Sequence, residues 1–236
     1  VKKLLHHIHN FFYLAINWNP LLASFVAWQE AKRGRKYGLH TIKRESLQKF
    51  SIAENDISKS SPYEAINFFI LENLLENFRC LFPEEKDIMD VGCGKGRVLA
   101  AAAYFGFTGI KGVDFAKELC DEAERNMEKI KPAFPGVQFK ITWSNILHYP
   151  LAAEDKVFFL FNPFNDEVLE KFVVKIEASV KEHPRSIWFI YASPKHIDVL
   201  LEKGYVVIYR IKKMKFLEGL IAVKPVDDAG SNKSFY

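Results

Sequence analysis

Cysteine is scarce in this chain: among 236 residues there are three, Cys80, Cys93 and Cys120, and no two stand at metal-ligand spacing. That excludes a disulfide-stapled fold and a cysteine-built zinc site, and it fits reduced thiols in a cytoplasmic protein. Internal repeats and low-complexity tracts are absent too, which excludes repeat architectures. Net charge is only +4, too small by itself to argue for a nucleic-acid partner. What is there is ordinary for a globular protein: 49% hydrophobic residues, enough for a full core, and a length that suits one domain with an appendage.

Charge is also missing locally. Residues 4–29 contain no Asp, Glu, Lys or Arg. Roughly 20 apolar residues suffice to cross a bilayer, but His6, His7, His9, Asn10, Asn17, Asn19 and Pro20 interrupt this stretch. Asn19-Pro20 is a helix-start signal, an N-cap followed by proline at the first helical position. The pattern therefore predicts two short helices, 3–16 and 20–33. Their aromatics (Phe11, Phe12, Tyr13, Trp18, Trp28) suit packing on the domain or lying at a membrane surface as a peripheral contact. No small-residue cleavage site follows the apolar run, so a secretory leader is not expected. A basic cluster comes next, Lys32, Arg33, Arg35, Lys36, Lys43 and Arg44. It reads as a solvated linker face, or as a contact for a phosphate-bearing substrate or anionic lipid heads. Residues 51–61 are polar and Ser-rich, a loop. Ser61 as N-cap and Pro62 as first helical residue then predict a helix whose Ile66, Phe69, Ile70, Asn73 and Leu74 share a buried face. The divisions expected are an N-terminal helical appendage and linker at 1–61, a ligand-binding domain at 62–225, and a polar tail at 226–236.

The most informative stretch is Asp87-Ile-Met-Asp90-Val-Gly92-Cys93-Gly94-Lys95-Gly96-Arg97. A short apolar run meets three glycines at alternate positions, and a helix-like segment over 97–104 follows. A strand, a glycine turn and a helix let backbone approach a ligand closely, since glycine lacks Cβ and tolerates positive φ. Dinucleotide enzymes use this device as G-x-G-x-x-G, with a pyrophosphate at the helix N-terminus. Counted from Gly92, that pattern needs glycine at 97, where Arg97 stands. An acid in the turn region would moreover repel a pyrophosphate and suit a cationic ligand.

The D-x-G-x-G-x-G pattern resembles motif I of the class I S-adenosylmethionine-dependent methyltransferases. The rest of the chain agrees. Apolar runs at 109–114, 137–142, 156–161 and 186–191 alternate with helical segments at 116–130, 166–182 and 197–203. Two final strands, 205–211 and 216–223, are joined only by the basic turn 212–215. Strands separated by helices form a parallel sheet covered on both faces, and two strands joined by a turn must be antiparallel. The fold expected is therefore α/β, a Rossmann-like seven-stranded sheet of five parallel strands closed by an antiparallel hairpin. A dehydrogenase would not predict that hairpin. The resemblance covers about residues 63–225.

The resemblance implies S-adenosylmethionine as cofactor, with Asp90, Gly92, Cys93, Gly94 and Gly96 around its methionine end. Asp114, with Phe115 beside it, ends the second strand, where an acid can take both ribose hydroxyls; the same position would serve as a helix N-cap. Asn145 and Ile146 follow the third strand, where the family usually has Asp near the adenine; Asn145 can still accept from the amine and donate to a ring nitrogen. After the fourth strand, Asn162-Pro163-Phe164-Asn165 resembles the Asn-Pro-Pro-Tyr/Phe signature of methyltransferases acting on nitrogen. There the Asn accepts from the target N–H and the aromatic packs on the target. The second Pro is missing, and the segment also resembles the Asn-Asn-Phe of non-SET histone lysine methyltransferases. A plain strand-to-helix turn capped by Asn165 is the alternative. Tyr63 would close over the methionine end of the cofactor. The nearest resemblance overall is to bacterial methyltransferases of unassigned substrate, with a G-x-x-T segment (Gly38 to Thr41), a Ser-Pro-Tyr-like element, D-x-G-x-G-K-G-R and N-P-F. The activity implied is methyl transfer to nitrogen of an unknown acceptor, protein lysine being favoured over nucleic acid or a small molecule. Tyr63, His148 and Asp166 are candidate general bases, and no metal is called for. A catalytically silent cofactor-binding or membrane- or partner-binding protein, and a nicotinamide-dependent oxidoreductase, are the alternatives.

Overall fold

The computed structural model describes residues 11–13, 15–16, 19–39, 41 and 64–226. Tyr63, His40 and the Ser-rich loop lie outside them. Seven strands run β1 (Asp87–Val91), β2 (Gly109–Asp114), β3 (Gln138–Trp143), β4 (Val157–Phe161), β5 (Ile187–Ala192), β6 (Val206–Lys213) and β7 (Leu217–Lys224). They form one sheet in the order β3-β2-β1-β4-β5-β7-β6. The first five are parallel, and β7 pairs antiparallel with both β5 and β6. The expected sheet and its closing hairpin are thus present. β4 and β5 are apolar throughout because both their faces are covered.

Residues 11–13 and 15–16 are helical, a 3-10 turn spans Lys131–Ala133, and the further described helices are α1 (Pro20–Tyr37), α2 (Phe68–Leu81), α3 (Arg97–Tyr104), α4 (Lys117–Ile130), α5 (Asp166–Glu182) and α6 (Ile197–Glu202). On one face α2, α3 and α4 bury Leu74, Phe78, Leu99 and Met127 against Ile88, Phe159 and Ile190. On the other, α5 and α6 bury Phe172, Ile176 and Leu200 against Val91, Phe158 and Phe189. The chain reverses direction across the sheet between β3 and β4. That leaves a crevice where β1 and β4 lie side by side, Val91 beside Leu160, which is where such sheets bind ligands.

Asn19 caps α1 as expected, its side chain accepting from the Leu22 N–H at 2.7 Å. The helix runs further than 33, however, to Tyr37, and Gly38 ends it with a left-handed φ of 64°. The basic residues 32–36 are therefore helical rather than linker. Arg33 and Lys36 reach Glu72 of α2 at 2.8 and 3.1 Å, and the Tyr37 hydroxyl donates to the same carboxylate at 2.7 Å. Those three donors hold the Glu72 carboxyl below its ordinary value despite its burial. Tyr37 stacks on Phe68 at 5.1 Å.

A second departure concerns α2. It starts at Phe68, with Asn67 as N-cap accepting from the Phe69 N–H at 2.9 Å, and residues 64–67 are not helical. The reason is tertiary: the Ile66 carbonyl accepts from Arg97 Nη1 at 2.7 Å, so the segment that local signals would coil is held out as a strap. Among the described residues no helix is long and apolar enough to cross a membrane.

Candidate functional site

Three turns meet at the carboxyl ends of β1, β2 and β4. The first carries Gly92 and Gly94 at φ 80° and 51°, conformations that favour glycine. A Cβ on Gly92 would lie 2.8 Å from the Cβ of Pro163, so the β1 and β4 turns touch where glycine leaves room. The Gly94 N–H donates to Asp114 Oδ2 at 2.8 Å, and Asp114 Oδ1 accepts from the Ala116 N–H at 2.9 Å. The Asp114 carboxylate therefore straps the glycine turn to the end of β2. The α4 N-cap is Ala116 and has no side-chain cap bond, so helix capping is not the role of Asp114. Gly96 caps α3 against Ala123 and Met127 of α4.

Asp90 and Asp114 are both buried. Burial, and next the charge of Asp114, push the Asp90 carboxyl well above its ordinary value. Burial pushes Asp114 up to about 6, against the opposing pull of its backbone N–H donors. Among the described residues no lysine or arginine is ion-paired with either acid. Lys95, inside the glycine turn, reaches Glu122 of α4 at 3.2 Å instead. Two buried acids without a cation suit a ligand that brings positive charge and hydroxyls, as S-adenosylmethionine does, and disfavour a pyrophosphate.

Cys93 turns into the core. A Cβ on Gly112 would lie 2.9 Å from its Sγ, and the contact with Cys120, then burial, push its thiol pKa up. It is a protonated filler, and its contact to a ligand would come from backbone. Phe115 is half-buried, and its carbonyl accepts from Trp143 Nε1 at 2.9 Å. Asn145 sits in a turn closed by its own side-chain oxygen, which accepts from the Leu147 N–H at 2.9 Å. Ile146 beside it is buried. This loop has an anchor that sequence reading did not single out: Lys175 of α5 donates to the carbonyls of Ile146, Leu147 and Tyr149 at 3.1, 2.7 and 2.5 Å.

Asn162 follows β4 with φ 43°, buried, and its Oδ1 has no hydrogen-bond partner among the described residues. Asn165 caps α5, accepting from the Val168 N–H at 3.1 Å. Phe164 departs from expectation. Its ring is buried, edge-on to Phe172 at 6.4 Å, so it anchors the turn from the core side rather than offering a face to a substrate. The half-buried Pro163 and Asn165 are what the turn presents. Of the candidate bases, His148 and Asp166 are exposed, and Tyr63 is outside the described residues.

Residues 88–183 match the family model described as "Methyltransferase domain". No curated protein matches the chain. Among solved structures, a provisionally assigned RNA methyltransferase from Pyrococcus horikoshii aligns with TM-score 0.55 at 17% identity, over 84% of this chain and 98% of that one. An S-adenosylmethionine-dependent methyltransferase from Clostridium acetobutylicum aligns with TM-score 0.51 at 10% identity, over 68% and 92%. At these identities the structures speak for the fold. The family match identifies residues 88–183 as a methyltransferase domain, and the solved structures agree with its Rossmann-like fold. The chain is an S-adenosylmethionine-dependent methyltransferase.

Proposed function

We propose that this enzyme methylates a nitrogen, with a protein amine such as lysine favoured as acceptor. The observation that carries the reading is the Asn162 side-chain oxygen: an acceptor with no partner among the described residues, buried at the end of β4. A buried acceptor without a donor is costly, about 1–3 kcal/mol. The left-handed backbone at Asn162 adds strain of the kind that concentrates at functional sites. An N–H from the methyl acceptor would complete that oxygen and aim the nitrogen lone pair across the crevice toward the glycine turn.

S-adenosylmethionine supplies an activated methyl group when bound. The chain's own residues have three tasks. Gly92 and Gly94 let backbone approach the donor. Asp114 would accept from the ribose hydroxyls, while Asp90 offsets positive charge from within the wall. Asn162 would hold the nucleophile, with Pro163 against Gly92 fixing the gap between the two turns. Such positioning is what a displacement at carbon mostly requires. The pairing of D-x-G-x-G-K-G-R with N-P-F further supports kinship with bacterial methyltransferases of that pattern.

The test is transfer of a labelled methyl from S-adenosylmethionine into cell extract, fractionated into protein, nucleic acid and small molecules. Label in protein, released as methyl-lysine on hydrolysis, is the expected result. Label confined to oxygen or carbon of any acceptor overturns the nitrogen assignment.

A further inference from the structure

We propose that the outward stripe of α1 docks the protein on the surface of an anionic lipid bilayer. Leu21, Ser24, Trp28, Lys32 and Arg35 follow one another at helical spacing, and all are exposed. Leu21 is 70% and Trp28 54% accessible, and Phe12 and Ile16 just before the helix are exposed as well. A single exposed apolar side chain needs no explanation; a run of four on one segment does.

Charge decides what covers the stripe. α1 contains one acid, Glu30, and it is turned inward onto Arg97, buried and paired. Arg33 is turned inward onto Glu72. What remains outside is apolar at the start of the helix and cationic toward its end, with no negative charge. Lys32 Nζ lies 5.1 Å from the centre of the Trp28 ring, so indole and ammonium present together. This is the make-up of a helix lying in the headgroup layer: leucine and an aromatic entering the acyl boundary, lysine and arginine meeting lipid phosphates. A strip one helix wide, lacking any acid or concave floor, fits a diffuse anionic surface better than a folded partner. The inner side of α1 is already taken up by the Glu30–Arg97 and Glu72 contacts, so docking would leave the domain undisturbed.

The experiment is co-sedimentation of the full chain with vesicles of phosphatidylcholine alone and of phosphatidylcholine with phosphatidylglycerol. The expected result is pelleting with the anionic vesicles at least about tenfold stronger than with the neutral ones, weakening with salt. Leu21→Glu with Trp28→Glu should abolish it, and Lys32→Glu with Arg35→Glu should abolish the preference for anionic lipid. S-adenosylmethionine affinity should be unchanged in both, showing that the domain remains folded. Absence of pelleting, or pelleting indifferent to both double variants, overturns the proposal. So does loss of RNA binding in the charge variant without any vesicle binding by the parent, which would make the stripe a nucleic-acid contact.

Discussion

Arg97 and Glu30 meet side-on inside the protein, Nη1 to Oε1 at 2.6 Å and Nη2 to Oε2 at 3.1 Å. The guanidinium also donates through Nε to the Thr41 hydroxyl at 2.6 Å, and it lies 4.2 Å over the Phe68 ring. Arg97 is the first residue of the helix that follows the glycine turn, so α1 is fastened to that turn rather than hung beside it. Glu30→Ala leaves a buried guanidinium short of its counter-charge and should cost about 3–5 kcal/mol in urea unfolding. The double change Arg97→Met with Glu30→Leu should cost less than Glu30→Ala alone, because no charge is then stranded. Removing residues before 42 should cost more than Glu30→Ala, because it also strands Glu72 and uncovers Phe68.

The ribose contact proposed for Asp114 would make cofactor binding depend on pH in a direction that can be worked out. Its carboxyl is pushed up to about 6 from an ordinary 3.8, so the folded protein takes up the proton more readily than the unfolded chain. The cost of burying the charged form is therefore present above about 6 and disappears as pH falls from there toward 3.8. A donor that needs the ionised carboxylate responds in the opposite sense. Its affinity should hold above pH 6 and fall by about tenfold per pH unit below it. Calorimetry in buffers of different ionisation heat should detect proton release on binding near pH 6. Asp114→Asn should be weaker at high pH and lose this dependence.

For Asn162 the expected outcome is a split between binding and turnover. Asn162→Ala should bind S-adenosylmethionine almost normally, since Asp114 and the glycine turn are untouched, while turnover falls by about 10²-fold or more. Asn162→Asp keeps an acceptor and should retain more activity than alanine. Equal activity of both variants and the parent in the extract assay would reduce Asn162 to a turn residue.

Lys175 anchors the loop proposed to border the adenine. Losing a charged donor shared by three carbonyls should free the loop over 145–149, at about 1.5–3 kcal/mol. Lys175→Met is expected to raise amide hydrogen exchange in that loop and to weaken cofactor affinity without altering the turnover of bound complex. Unchanged exchange at 145–149 would show that the loop is held by other means.

Gly92→Ala combines two penalties: a left-handed φ of 80° and a Cβ within 2.8 Å of Pro163. The backbone term alone is about 1–2 kcal/mol. The larger effect should be on turnover, because relief of the clash moves the β4 turn that carries Asn162. Comparing melting temperature with kcat separates the two.

Much of this was legible in the sequence because it is local. Apolar runs of strand length, the Asn19-Pro20 start, the 212–215 turn and the glycine pattern each act within a few residues, and the sheet followed from them. The Arg97–Glu30 pair did not, since its members are 67 residues apart and neither has a spacing signature. Arg97 was readable as a residue unfit for a dinucleotide turn and as the end of D-x-G-x-G-K-G-R, not as the partner of Glu30. The start of α2 was misplaced for the same cause: Ser61-Pro62 is a sound local signal, but the Ile66 carbonyl is held by that arginine. Phe164 looked like a substrate platform because its burial depends on α5, which packs from further along the chain.

The position of β7 has a consequence for how the protein is made. Among the described residues β7 is the last strand, yet it lies inside the sheet, between β5 and β6. On the ribosome, the β3-β2-β1-β4-β5 portion can assemble as residues up to 192 emerge. Until residues 217–224 follow, β5 presents an open edge, and its six residues Ile-Trp-Phe-Ile-Tyr-Ala are all destined for burial. At about 5–20 residues per second that interval lasts seconds, long compared with strand pairing. A nascent chain at that stage shows an adhesive edge to its neighbours, so the closing hairpin acts as a seal that must arrive promptly.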